Sequence, residues 1–157
     1  MAHARARCSL FMLALEISLN FQVYDPIVGR WRDAEAMSML RSRVGVAVMR
    51  NRLYAIGGYN GTDRLNTVEV FDAETKQWSK VASMNCKRRW ATSELVICEG
   101  FFMIWSSNSA VGAVSVGDKL FVCGGFDGVS SLETVEQYDP DCDRWTMAAN
   151  MKKHRWV

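Results

Sequence analysis

The sequence predicts an all-β fold, an incomplete β-propeller fragment with two full four-stranded blades and part of a third. Three observations predict it: one unit recurs at a spacing in the forties, its segments alternate apolar and polar residues, and turns rich in Gly, Asn and Asp separate them. With 157 residues, 49% of them apolar and 23% charged, the chain is too apolar to be disordered.

The repeat appears as two offsets between equivalent residues. Four residues recur 47 positions later, pairing Trp31 with Trp78, Asp25 with Asp72, Met37 with Met84, and Arg41 with Arg88. The next copy follows at an offset of 67, pairing Gly57 with Gly124, Gly61 with Gly128, Glu69 with Glu136, Trp78 with Trp145, and Met84 with Met151. The offsets differ by 20 residues, which predicts an insert of that length in the second copy.

The strands of the first full copy can be assigned in order. Residues 44–48 are β-branched and apolar, a polar turn follows at 50–52, and a second apolar run at 53–56 ends at Gly57-Gly58. Residues 59–66 are predicted as a loop, and residues 67–71 and 77–81 alternate apolar and polar side chains around a turn at 73–76. The second copy repeats these strands at 110–116, 120–122, 134–138 and 144–147.

These units resemble kelch repeats, which have a Gly-Gly pair after the second strand, a Tyr or Phe in the third, and a Trp six residues before a Met. The matching residues are Gly57-Gly58, Phe71, Trp78 and Met84, then Gly124-Gly125, Tyr138, Trp145 and Met151. The resemblance covers about residues 21–88 and 109–155. Within the family, segments 41–48, 54–61 and 84–88 are most similar to the kelch-like proteins, which carry BTB and BACK domains before their repeats.

The predicted organisation has five parts. They are a non-repeat leader at 1–20, the tail of a repeat at 21–37, a repeat at 38–84, a second repeat at 85–151 interrupted by an insert at 89–108, and the truncated start of a further repeat at 152–157. Propellers close with about four to eight blades. We therefore expect a fragment, a truncated isoform or an incomplete gene model, with closure by oligomerisation as the alternative.

The leader and the insert both depart from the repeat. The leader faintly resembles a signal peptide, but Glu16 shortens its apolar run, so an unrelated leader is the preferred interpretation. The pattern is lost five residues after Met84 and again five residues after Met151. We hypothesise that both breaks are exon boundaries read into intron; the alternative is a functional insert such as a lid over a binding face.

Composition and motifs argue against several classes of function. Five widely spaced cysteines without a C-x-x-C pair, and a single histidine near each end, argue against a disulfide scaffold and a zinc site and favour a cytoplasmic protein. A net charge of +2 gives no argument for nucleic acid, and no apolar run is long enough to cross a membrane. Without a hydrolase, zinc-protease or P-loop motif, we expect neither enzymatic activity nor a cofactor or metal.

The resemblance implies binding through two loops of each blade, one after the Met and one after the Gly-Gly. Those loops hold the predicted partner-binding residues Arg41, Ser42, Arg43, Tyr59, Arg64, Arg88, Ser109, Phe126 and Ser131. Arginines beside hydroxyls and aromatic rings suit an acidic or phosphorylated peptide. The alternative for each arginine is a solvated side chain or a bond to the neighbouring blade. Glu69 and Glu136 are predicted to bond such an arginine rather than to form an acid/base pair.

The resemblance further implies a non-catalytic role as the substrate-recognition propeller of a cullin-3 ubiquitin ligase adaptor. The cullin would be contacted through a BTB domain, which is not recognisable in this sequence, and the propeller would present a protein substrate. The alternative is an actin-binding, cytoskeletal or scaffold kelch protein; a propeller enzyme is remote, because no metal or nucleophile constellation is present.

Overall fold

The computed structural model describes residues 21–25, 29–88 and 112–152, and all structural statements below concern these residues. They form ten strands: β1 Phe21–Asp25, β2 Arg30–Ala34, β3 Gly45–Met49, β4 Arg52–Ile56, β5 Val68–Asp72, β6 Gln77–Val81, β7 Gly112–Val116, β8 Lys119–Cys123, β9 Val135–Asp139 and β10 Arg144–Met147. No helix occurs among the described residues. The predicted all-β class is confirmed, and the strands of the two full copies, β3 to β10, lie within two residues of the predicted positions.

The strands form two four-stranded antiparallel sheets and one hairpin. Strands β3 to β6 make blade A and strands β7 to β10 make blade B, each in sequential order, while β1 and β2 pair with each other. Strand β1 lies 47 residues before β5, and β2 lies 47 residues before β6, the same spacing that separates Trp31 from Trp78. The hairpin therefore corresponds to the last two strands of a blade. The prediction of two full blades and part of a third is therefore confirmed.

The main core lies between the two blades. Blade A contributes residues from one face of its sheet, among them Met49, Tyr54 and Ile56, and blade B contributes Leu120 and Tyr138. The rings of Tyr54 and Tyr138 approach to 5.9 Å between centroids. Because aromatic side chains bury a large area each, these two rings contribute strongly to the apolar packing that joins the sheets.

Each outer strand is joined to the preceding segment by a tryptophan. Trp78 Nε1 donates to the Glu35 carbonyl at 2.9 Å, and Trp145 Nε1 donates to the Ala82 carbonyl at 2.8 Å. Glu35 and Ala82 are themselves 47 residues apart, so the same contact is made in both copies. The recurring tryptophan therefore fixes each blade to the chain that leads into it.

One face of the blade B sheet has no cover among the residues that the structure describes. Cross-strand pairs place Val114 opposite Phe121, in the positions that Ala47 and Tyr54 occupy in blade A. Met49 is only 3% exposed, whereas its equivalent Val116 is 56% exposed. The difference arises because blade B covers this face of blade A, and no described residue does the same for blade B.

Several predicted segments lie outside the described residues. These are the leader at 1–20, the insert at 89–108 and nearly all of the segment at 152–157. Their interpretations stay predictions.

Candidate partner-binding site

The antiparallel order of each blade brings the predicted binding loops to one rim. The connections after the first and third strands are short turns at one end of the sheet, while the connections after the second and fourth lie at the other. We call this second end the loop rim; it includes residues 35–44, 57–67, 82–88 and 124–134. Every predicted binding residue that the structure describes lies on it.

Arg41 and Arg88 lie inside the loop rim rather than on its surface. Both side chains are 0% exposed. Arg41 donates to the Gly57 carbonyl at 2.7 Å, to both oxygens of Thr67 at 2.9 and 3.0 Å, and to Glu69 Oε1 at 3.0 Å. With the bond from Nε to the same carboxylate, all five N–H groups of the guanidinium are used.

Arg88 makes the same contacts in blade B. Its guanidinium donates to the Gly124 carbonyl at 2.6 Å, to Thr134 at 2.9 and 3.0 Å, and to Glu136 Oε1 at 2.9 Å. Its backbone bonds blade A instead, because its N–H donates to the Leu65 carbonyl and its carbonyl accepts from Gly58. One residue therefore joins the two blades.

The partner-binding prediction needs correction for these two arginines. With no exposed surface and no free N–H group, neither can donate to a partner in this structure. The alternative of a bond toward the neighbouring blade applies, and the expected arginine contacts of Glu69 and Glu136 are present. The signal was available in the sequence, because both arginines recur at equivalent positions, as structural residues of a repeat do.

The carboxylate of Glu136 collects several donors besides Arg88. The backbone N–H groups of Asn85 and Cys86 donate to it at 2.7 and 3.0 Å, and the Asn85 side chain donates at 2.8 Å. Burial by itself raises the pKa of this carboxyl, but the donors outweigh burial and hold the pKa below its usual value. In blade A, burial lowers the pKa of Arg41 despite the opposing effect of Glu69.

Ser42 also uses its polar groups internally. Its backbone N–H donates to the Tyr59 carbonyl at 2.8 Å, its carbonyl accepts from the Tyr59 N–H at 2.9 Å, and its hydroxyl lies 3.2 Å from the same Tyr59 carbonyl. Ser42 is 7% exposed, and its bonds join the segment 35–44 to the loop that follows Gly58. Arg43, the next residue, is exposed and has a φ of 51°.

The remaining predicted residues form a cluster across the two blades, which we call the seam cluster: Tyr59, Arg64, Phe126 and Ser131. Tyr59 and Arg64 pair across the loop of blade A, and Phe126 and Ser131 pair across the equivalent loop of blade B. The guanidinium carbon of Arg64 lies 5.7 Å from the centre of the Phe126 ring, so the arginine of one blade reaches the loop of the next.

Gly128 makes room for the arginine of the seam cluster. A Cβ at this position would lie 2.5 Å from Arg64 Nη1, and the backbone φ of +117° also favours glycine. The sequence marked Gly128 only as a repeat residue. Its contact with Arg64 depends on the packing of one blade on another, which periodicity does not show.

Two polar atoms of the seam cluster are buried without a partner among the described residues: Arg64 Nε and Ser131 Oγ. Asp127 lies nearby. Hydrogen bonds from the Ser130 and Val129 N–H groups, with a smaller contribution from the Arg64 charge, lower the pKa of its carboxyl. The cluster thus combines a partly exposed arginine and serine with aromatic surface, a combination that suits an anionic group of a ligand.

The described residues were also compared with the requirements of a metal site and of a membrane span. Within the described ranges, no group of three or more His, Cys, Asp or Glu side chains is placed to hold a metal ion. No described helix is long and apolar enough to span a membrane. Ser109, the remaining predicted binding residue, lies outside the described residues.

Comparison with known proteins identifies the architecture. The Kelch motif profile matches residues 40–85 and 107–152, which together make up more than half of the chain. The chain belongs to the kelch-repeat family. Its two sheets are therefore kelch blades, and kelch repeats form a class of protein-interaction module.

Relatives extend along most of the chain. It is 32% identical over 143 residues to Kelch repeat-containing protein kel-10 of Caenorhabditis elegans, which covers 88% of this chain and 22% of that protein. It is 37% identical, with the same shares covered, to a Kelch repeat and BTB domain-containing protein of the same organism. It is 28% identical to human Kelch repeat and BTB domain-containing protein 2, covering 87% of this chain and 27% of that protein.

The chain thus spans about a fifth to a quarter of the length of these relatives. Segments 41–48, 54–61 and 84–88 also led us to consider kelch-like protein 18 as the particular member, and these comparisons do not support that assignment. They support a kelch-repeat region of a kelch-like protein.

Proposed function

We propose that this kelch-repeat chain binds an acidic or phosphorylated segment of a protein partner at the seam cluster. The observation that carries the proposal is the position of Arg64, whose partly exposed side chain reaches the Phe126 ring of the next blade and has no acceptor at Nε among the described residues. An anionic oxygen that bonds the exposed part of this guanidinium gains a charge-assisted hydrogen bond. The Phe126 ring holds the guanidinium in place beside it.

The surrounding groups favour the same class of ligand. Ser131 places a second polar group without a described partner beside Arg64, and Arg43 adds an exposed positive charge to the loop rim. Tyr59 contributes aromatic surface, but its hydroxyl already donates to the Gly61 carbonyl at 2.7 Å. Because charge-assisted bonds are about twice as strong as neutral ones, we expect a carboxylate or phosphate to bind better than a neutral peptide.

Peptide binding by the purified chain tests this proposal. A library of fluorescent peptides carrying phosphoserine, glutamate or unmodified serine at one position is titrated, and Kd is measured by anisotropy. We expect tighter binding of the anionic peptides and a loss of about tenfold or more for Arg64→Ala, since a charge-assisted bond contributes about 1.5–3 kcal/mol.

Arg52→Ala is the matched control. Arg52 is an exposed arginine on β4 that bonds Asp72 at 3.0 Å, away from the loop rim. An equal loss for both variants would show a nonspecific charge effect and contradict the proposal, as would unchanged binding by Arg64→Ala.

We further propose that the partner is a substrate of a cullin-3 ubiquitin ligase. The support is the similarity to proteins named as containing both kelch repeats and a BTB domain. The BTB domain would bind cullin-3 and this region would bind the substrate. Co-precipitation of cullin-3 with the longer parent protein tests this role; recovery of actin in place of cullin-3 would favour the cytoskeletal alternative.

A further inference from the structure

The loop rim contains an asparagine followed by glycine, and this pair lies within the loop that carries Tyr59 and Arg64. Asn60-Gly61 is the single Asn-Gly pair of the sequence; the other asparagines precede Phe, Arg, Thr, Cys, Ser or Met. An asparagine side chain can be attacked by the backbone nitrogen of the next residue. A glycine there leaves the nitrogen unhindered because it has no Cβ.

The hydrogen bonds of Asn60 favour that attack. Its Oδ1 accepts from the Thr62 N–H at 2.9 Å, from the Thr62 hydroxyl at 3.0 Å and from the Asp63 N–H at 2.7 Å. Negative charge develops on this oxygen when a nucleophile adds to Cγ, and fixed donors directed at such an oxygen stabilise the charge.

The nucleophile of this reaction is accessible. Gly61 is exposed, and within the described part of the chain its N–H donates to no acceptor. The Gly61 carbonyl, in contrast, accepts from the Tyr59 hydroxyl at 2.7 Å, which helps to fix the peptide unit that follows it. Base from the solvent can therefore remove the amide proton without first breaking a hydrogen bond.

We propose that Asn60 is a site of spontaneous deamidation that places a negative charge on the loop rim. A bond forms between the Gly61 nitrogen and Asn60 Cγ, the bond from Cγ to the side-chain nitrogen breaks, and ammonia leaves with the proton taken from the amide. Solvent water then opens the resulting succinimide ring to aspartate or isoaspartate. The reaction exchanges NH₂ for OH and needs water as its sole co-reactant.

Blade B shows that this loop accommodates a carboxylate at the same position. Asp127 is the equivalent of Asn60, and its Oδ1 accepts from the Val129 and Ser130 N–H groups at 2.7 and 2.8 Å. The backbone turn is shared too, since Asn60 N–H donates to the Asp63 carbonyl and Asp127 N–H donates to the Ser130 carbonyl. An aspartate at position 60 therefore preserves the turn and changes its charge.

Tryptic digestion isolates this site well. Cleavage after Arg52 and Arg64 releases residues 53–64, in which Asn60 is the single asparagine, while residues 65–76 and 81–87 each contain one control, Asn66 and Asn85. The folded full chain is incubated at pH 7.4 in heavy-oxygen water, and deamidation of each peptide is followed by mass spectrometry. Label incorporation separates hydrolysis during incubation from earlier modification.

We expect Asn60 to deamidate at least about tenfold faster than Asn66 and Asn85, which corresponds to a barrier lower by about 1.4 kcal/mol. Thr62→Val, which removes the hydroxyl donor from an exposed residue, should slow the reaction in the folded chain but not in a synthetic peptide of residues 53–64. A rate at Asn60 no higher than at Asn66, or one slower in the folded chain than in the peptide, would overturn the proposal.

The consequence for binding rests on the proposed function. An added carboxylate four residues from Arg64 should weaken binding of an acidic peptide by Asn60→Asp relative to Asn60→Gln. The mass measurement does not depend on this effect. Deamidation without a change in affinity would contradict the proposed acidic ligand and leave the modification site established.

Discussion

Arg41 and Arg88 show how burial changes the role of a charged residue. A surface arginine contributes little to stability when it pairs with a carboxylate, because water already solvates both groups. These two arginines have no exposed surface and their carboxylate partners are 0–1% exposed. Removing either partner would leave a buried charge without compensation, which is far more costly than losing a surface pair.

We predict that Glu136→Gln destabilises the protein by about 3 kcal/mol or more, because the Arg88 charge would remain buried beside a neutral amide. Urea denaturation followed by tryptophan fluorescence measures the free energy of unfolding. Glu74→Gln, on the exposed turn between β5 and β6, is the control and should change stability by less than about 0.5 kcal/mol. Similar effects of the two substitutions would contradict the structural role of Glu136.

The lowered pKa of Glu136 predicts the direction of the pH dependence. A carboxyl whose pKa is lower in the folded state stabilises the fold above its unfolded value, about 4.3, and the stabilisation is lost as pH falls through the folded value. The urea midpoint should therefore decrease below about pH 4.3. Glu136→Gln should show a shallower decrease, and an unchanged slope would argue that other carboxyls dominate acid unfolding.

In blade A, the chain that leads into blade B approaches the end of the second strand so closely that glycine is required there. Gly57 has a φ of +63°, and a Cβ there would lie 2.7 Å from the Arg88 carbonyl oxygen. Gly117, in the turn between β7 and β8, has nearly the same φ of +59° with nothing within 4 Å of the added carbon. Comparing substitutions at Gly57 and Gly117 therefore separates the free-energy cost of the backbone conformation from that of a steric clash.

We predict that Gly57→Ala destabilises the protein by clearly more than Gly117→Ala. The second substitution should cost about 1–2 kcal/mol for the left-handed backbone alone, and the first adds displacement of the Arg88 backbone. Thermal denaturation of both variants checks the difference. Equal losses would show that the Arg88 linker moves away without cost.

For the whole molecule, the two blades are joined by the apolar core between them. The opposite face of blade B has no cover among the described residues. Val114, Val116, Phe121 and Val135 lie on that face. Contiguous exposed apolar surface favours association in solution. Val116 is 56% exposed and the other three residues are partly exposed, so this face carries apolar surface in contact with solvent.

We predict that Val116→Lys reduces concentration-dependent self-association and the binding of a hydrophobic dye. Val129→Lys is the control, since Val129 is 91% exposed on the loop rim, away from the open face. Sedimentation velocity over a range of concentrations gives the readout. A wild-type chain that stays monomeric with a cooperative thermal transition would contradict the expected instability of the open face.

Periodicity predicted the strands and the blades because cross-strand pairing and alternation are local properties of the sequence. It also predicted that Glu69 and Glu136 bond arginines, since both members recur in each copy. It could not separate Arg64 from Arg88 as binding residues, because burial depends on how one blade packs on the next. Arg64, which differs from its equivalent Ser131, is the one that reaches across the seam.

The position of Arg88 has a consequence for how such a protein can lengthen. Its backbone bonds blade A and its guanidinium bonds blade B. Its partner Glu136 lies in the same copy of the repeat, 85–151. Duplication of a whole period therefore supplies donor and acceptor together, and each added copy arrives with the means to attach to its predecessor. Insertion of a partial copy would separate the arginine from its glutamate and leave one buried charge without its partner.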